Sequence, residues 1–89
     1  MVGPDQALEI AQAFLDGENL ERYGYTPMVD TKSLSELDGN YVVAWNTETY
    51  LRTRDLTESL AGNIPLFIDG ASGECRYATD EESRRYFRG

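Results

Sequence analysis

Residues 66 to 77 read LFIDGASGECRY. Two glycines, two carboxylates and a serine stand between two apolar runs. Such a segment is either a loop that holds a ligand or the turn that folds one strand back on another. Asp69, Ser72 and Glu74 offer oxygen ligands. A calcium loop of the EF-hand type, however, needs acidic or amide groups at alternating positions over about twelve residues. Here Gly70, Ala71 and Gly73 fill the gaps and the loop is too short. A phosphate loop leads into a helix, whereas the residues after this one, CRYA, read as strand. A tight hairpin needs what is present: an Asp that can bond its own backbone, two turn residues, and a Gly for the left-handed position. The stretch is read as a turn, with Gly73 a backbone requirement. Its strands are Ile64 to Asp69 and Glu74 to Ala78. Pro65 fits near a strand start, because proline cannot donate to the ladder.

Working outward, Tyr41 to Thr47 is a strand with Tyr41, Val43 and Trp45 on one face and Val42, Ala44 and Asn46 on the other. Asp38-Gly39-Asn40 before it is a hairpin signal, since Gly and Asn tolerate positive φ. That pairs it with a strand over Met28 to Leu37, whose alternation is imperfect. Asn19 to Pro27 is a loop carrying Tyr23 and Tyr25. Asp5 to Leu15 has Ala7, Ile10, Ala11 and Phe14 at helical spacing, with Pro4 at the start and Gly17 at the end. Glu48 to Asn63 is a longer connection, anchored by Leu51, Leu56 and Leu60, with a short helical turn expected around Asp55 to Ala61. Thr79 and Glu82 form a capping box that opens a short final helix, whose arginines suit a helix C-terminus. The expected fold is one α+β domain over residues 1–89. Its N-terminal helix packs on a four-stranded antiparallel meander sheet, and its C-terminal helix is short.

The totals narrow the function. The formal charge is −8, from 16 acidic and 8 basic residues. That argues against nucleic acid and anionic membrane, which both call for Lys and Arg. It leaves solubility, or steering toward a basic partner. The single cysteine excludes an internal disulfide. Cys75 is expected to be a strand-facing thiol rather than a reactive one. No stretch has the form of a signal peptide, and no apolar run approaches the roughly 20 residues of a membrane span. The chain is expected to be cytoplasmic.

There is no histidine, so the commonest general base and metal ligand are both missing. One Cys cannot build a structural zinc site. No nucleophile elbow, P-loop or dinucleotide fingerprint occurs. The adjacent carboxylates Asp80, Glu81 and Glu82 already serve a helix start. No catalytic, cofactor-binding or metal-binding residue is therefore assigned, and an enzyme is not expected.

Trp45, Asn46, Tyr50, Leu51, Gly62, Asn63, Pro65, Asp69, Ser72, Gly73 and Glu74 stand in the order and spacing of a known pattern. With the N-terminal helix and a closing helix ending in Tyr86, the sequence resembles the bacterial YrhB-like family, also classed as immunity protein 35. It departs from that pattern at Tyr41, where a tryptophan is usual, and at Cys75 and Arg76. The resemblance implies a small α+β protein that binds and neutralises a cognate protein toxin, with no catalytic residue of its own. An acidic surface suits a toxin that is basic or has a basic cleft. The same resemblance implies an alternative, a small chaperone-like stress protein binding unfolded clients. An enzyme inhibitor or propeptide-like module is a further reading of so small a fold.

For binding residues, long loops on rigid scaffolds are the natural places. Tyr50, Glu48, Asp55 and Glu58 on the long connection form one candidate patch, and Tyr23 with Tyr25 a second. The competing reading of Tyr50 is a ring tucked against the sheet. Trp45 is read as core, and Gly62 and Asn63 as a bend and a backbone bond ahead of the strand.

Overall fold

The structure is a computed structural model that describes residues 1–59 and 63–87, apart from the side chain of Glu58. Helix α1 spans Pro4–Gly17, with Pro4 in its first turn, where a missing N–H costs nothing. It buries Ala7, Ala11 and Leu15 completely, with Leu8, Ile10 and Phe14 packed around them. The small residues at 7 and 11 let the helix approach the sheet closely. Strands β1 (Pro27–Val29), β2 (Ser35–Leu37), β3 (Asn40–Val43), β4 (Trp45–Thr47), β5 (Leu66–Ile68) and β6 (Cys75–Tyr77) are all paired antiparallel. The order β2-β3-β5-β6 makes the expected four-stranded meander, and β1-β4 extends one end of it as a two-stranded ribbon.

The strand expected over Met28 to Leu37 is interrupted. Val29 pairs with Trp45 and Ser35 with Val42, so five residues (30–34) on one side face two (43 and 44) on the other. The excess is folded into a 3-10 turn, Thr31–Ser33. Polar side chains supply its backbone partners. Asp30 Oδ1 accepts from Lys32 N at 3.2 Å, and Ser33 Oγ accepts from Ala44 N at 2.8 Å. Asp and Ser compete for backbone groups in this way, which explains the broken alternation.

Turn chemistry behaves as expected at both hairpins. Asp38 and Gly39 have φ of 55° and 81°, the mirror-image turn that matches strand twist. In the opening stretch, Asp69 Oδ1 accepts from Ala71 N and Ser72 N at 2.8 and 3.1 Å, and Gly73 has φ 80°. These bonds hold the Asp69 carboxyl below the usual carboxylate range. The turn also binds its own chain: Val2 N donates to Gly70 O, and Gly70 N donates to Asn40 Oδ1, both at 2.9 Å. DGASGE is a junction where the N-terminal segment and two hairpins meet.

The core lies between α1 and one sheet face, with Tyr41, Val43, Trp45, Leu66 and Ile68 buried. Each fully buried Leu or Ile contributes roughly 1.5–3 kcal/mol relative to exposure. The opposite face is not left to water. Val42 is fully buried there, beside Phe67. Helix α3 (Asp80–Phe87) covers it through Tyr86, whose ring meets Phe67 edge-on at 6.5 Å. The two-layer expectation thus gains a partial third layer. Thr79 and Glu82 form the capping box, at 3.1 and 2.9 Å.

Candidate functional site

The long connection carries one helix more than expected. A helix that the sequence does not announce, α2 (Glu48–Thr53), lies at its beginning. Thr47 caps α2, its Oγ1 accepting from Tyr50 N at 3.0 Å. The short helical turn expected around Asp55 to Ala61 is the 3-10 turn Leu56–Glu58. Asp55 accepts from Thr57 N and Thr57 Oγ1 at 3.0 and 2.8 Å. The hydroxyl bond, then the backbone bond, lower its carboxyl pKa. Residues 60–62, which carry the Leu60 anchor and the Gly62 bend, lie outside the described residues.

Trp45 is core: it is buried, and its indole N–H donates to Ile64 O at 2.8 Å. Asn63 Nδ2 donates to Trp45 O at 2.9 Å, so the bond expected to be local reaches back across to β4. Together they tie the end of the connection to the sheet. Cys75 is half-buried, and that burial pushes its thiol up to about 11.

The two candidate patches meet. Pro27 pairs with Thr47, and Glu48 N donates to Thr26 O at 2.8 Å. Tyr25 and Glu48 consequently line one open groove of about 480 Å³, with Thr47, Thr57, Ser59 and Arg52. Tyr23 is exposed and stacks on Tyr25, ring centroids 6.5 Å apart and planes 21° apart. The Arg22 guanidinium lies over the Tyr23 ring at 4.9 Å. Glu48 is exposed and pairs with Arg52 at 3.3 Å. Asp55 sits beside the groove through its bonds to Thr57. Glu58 closes the 3-10 turn, and its side chain lies outside the described part of the structure.

Tyr50 does not join this groove. It is half-buried, with the Arg54 guanidinium over its ring at 5.4 Å. The arrangement offers aromatic faces, hydroxyls and carboxylates on a fixed end of the sheet. Among the described residues, no group of three or more His, Cys, Asp and Glu could hold a metal ion. No helix among them is long and apolar enough to cross a membrane.

A family model described as immunity protein 35 matches residues 5–86. The chain belongs to the immunity protein 35 family. No curated protein and no solved structure matches the chain significantly. The family match spans the fold from α1 to Tyr86, so it takes in both candidate patches. Several of the residues that carry the resemblance have structural roles. Trp45 and Asn63 clamp the connection, Pro65 O accepts from Ala78 N at 2.8 Å, and Asp69, Ser72 and Gly73 build the turn.

Sequence reading missed Arg52 and the hydroxyl lining of Thr26, Thr57 and Ser59. The Glu48–Arg52 spacing of four was visible, and it becomes informative once α2 is placed.

Proposed function

We propose that this immunity protein 35 family member binds a cognate protein toxin in the cytoplasm and neutralises it, working as a single α+β domain. The binding face is the groove end of the sheet: Tyr23, Tyr25, Glu48 and Asp55, with Glu58 and Tyr50 at its margin. The observation that carries this reading is the convergence of Tyr25 and Glu48 on one groove, through the Glu48 N to Thr26 O bond. A stacked tyrosine pair supplies large contact area at low entropic cost. The carboxylates favour a basic toxin or a basic toxin cleft. Inhibition then needs only occlusion, with no chemistry on the immunity protein.

The test is co-expression with the product of the adjacent reading frame, followed by purification and titration against salt. A one-to-one complex and growth rescue are expected, with binding weakening as salt rises. Tyr25→Ala and Glu48→Lys are expected to weaken binding about tenfold or more, as hot-spot residues do. Absence of complex and rescue, with suppressed aggregation of unrelated proteins, would overturn the reading in favour of a chaperone.

A further inference from the structure

A second groove, of about 320 Å³, lies on the neighbouring surface, between β1, the 3-10 turn after it, and α2. It is lined by Met28, Asp30, Lys32, Leu51, Arg52 and Arg54. Three of the eight basic residues in a chain of net charge −8 therefore face one groove. Two basic residues elsewhere are held by carboxylates. Arg76 forms a two-pronged pair with Glu82, at 2.8 Å for each bond. Arg85 approaches Asp38 at 3.5 Å. Among the described residues, Arg52 is the groove's ion-paired cation, and its partner is exposed Glu48. Among the described residues Lys32 and Arg54 have no carboxylate partner. The groove's own carboxylate, Asp30, turns Oδ1 to the Lys32 N–H.

Arg54 adds a backbone observation. It ends α2 with φ 59°, a left-handed position where glycine is the easier residue. An arginine there keeps a guanidinium at the groove at conformational cost. Met28 is partly exposed and Leu51 half-buried, so an apolar contact sits among the cations.

We infer that this groove receives a carboxylate-bearing segment of the partner protein, an acidic residue flanked by an apolar one. With regard to the partner's identity, this rests on the function proposed above. Arg52 lines both grooves, so the partner presents a basic surface to one side and an acidic segment to the other. Such a two-signed surface fixes orientation and excludes partners of uniform charge. A nucleic acid is the poorer occupant: a polyanion meets three cations locally and an excess of acidic side chains everywhere else.

The test is a 15N NMR titration of the full chain with an acetylated hexaglutamate peptide, with hexathymidylate and hexalysine as comparison probes. The groove is supported if hexaglutamate shifts the amides of 28–32 and 51–54, and if Lys32→Gln with Arg54→Gly weakens that response about tenfold. Arg54→Gly relieves the left-handed backbone, so a lost response is not a lost fold. Shifts spread over Arg76, Arg84 and Arg85, or an unchanged response in the variant, would overturn it. Tighter binding of hexathymidylate would overturn it in favour of nucleic acid. In the toxin complex, Lys32→Glu with Arg54→Glu is expected to weaken binding at least as much as Glu48→Lys. Equal binding by wild type and this variant would again overturn the groove. Failure of the wild type to form any complex counts against the proposed function, and the peptide titration still decides the groove.

Discussion

Gln12 Oε1 accepts from Val29 N at 3.0 Å, and the same side-chain amide donates to Pro27 O at 3.3 Å. One side chain of α1 thus takes the place of a neighbouring strand along the outer edge of β1. A free edge is a template for pairing with another chain, and β1 is a ribbon edge with exposed Met28 on it. Replacing Gln12 by Ala removes both bonds and is expected to cost about 1–2 kcal/mol. Urea unfolding should show the lowered midpoint. Hydrogen exchange should show selective loss of protection at Val29 N, and an unchanged Val29 amide would refute the edge role.

Gly70 and Gly17 give opposite expectations for the same change. A Cβ at Gly70 would fall 1.6 Å from Gly39 O, a backbone atom that cannot step aside. Gly70→Ala therefore forces the two hairpins apart and is expected to cost on the order of 3 kcal/mol or more. At Gly17, the last residue of α1, nothing lies within 4 Å of the added atom. Gly17→Ala should be neutral or stabilise by up to about 1 kcal/mol. Thermal melts of the two variants provide the comparison.

Acid sensitivity is expected to centre on Glu82. Its pKa is held down at about 2, first by the Arg76 side-chain bonds and then by the Thr79 backbone bond, against the opposing effect of burial. A carboxyl depressed in the folded state adds stability above its unfolded pKa of about 4.3. That contribution is lost as pH falls from there toward 2. With Arg76 half exposed, solvent screening brings it to the order of 1 kcal/mol. Glu82→Gln should lower stability at pH 7 and flatten the loss between pH 4.5 and about 2. Urea midpoints across that range, for wild type and variant, measure it; parallel curves would count against the assignment.

What could be read from the sequence was local. The pairs Asp38-Gly39 and Asp69 to Gly73 announce hairpins because the turn geometry constrains those residues directly. The α1 stripe and the Thr79–Glu82 box are likewise short-range patterns. Helix α2 was hidden because Thr49, Tyr50 and Thr53 are weak helix formers. Its cap, Thr47, lacks the glutamate three residues on that marks Thr79. The groove was hidden for a different reason. Tyr25 and Glu48 are far apart in the sequence, and only the Pro27–Thr47 pairing brings them together. That register is distorted by an inserted turn whose partners are the side chains of Asp30 and Ser33.

The clamp at the end of the connection can be tested as a coupled pair. Trp45 Nε1 donates to Ile64 O, and Trp45 O accepts from Asn63 Nδ2, so one residue is held from its side chain and its backbone. Trp45→Phe leaves Ile64 O without this donor and trims a buried ring. Asn63→Ala releases the carbonyl of the same residue. If the two bonds jointly hold the segment before β5, either loss loosens the other. The double variant should then be less destabilised than the sum of the singles, by about 0.5–1.5 kcal/mol. Strict additivity in denaturant unfolding would show that the bonds act independently. The sheet end beside the Tyr25–Glu48 groove would then be held by strand pairing rather than by Trp45.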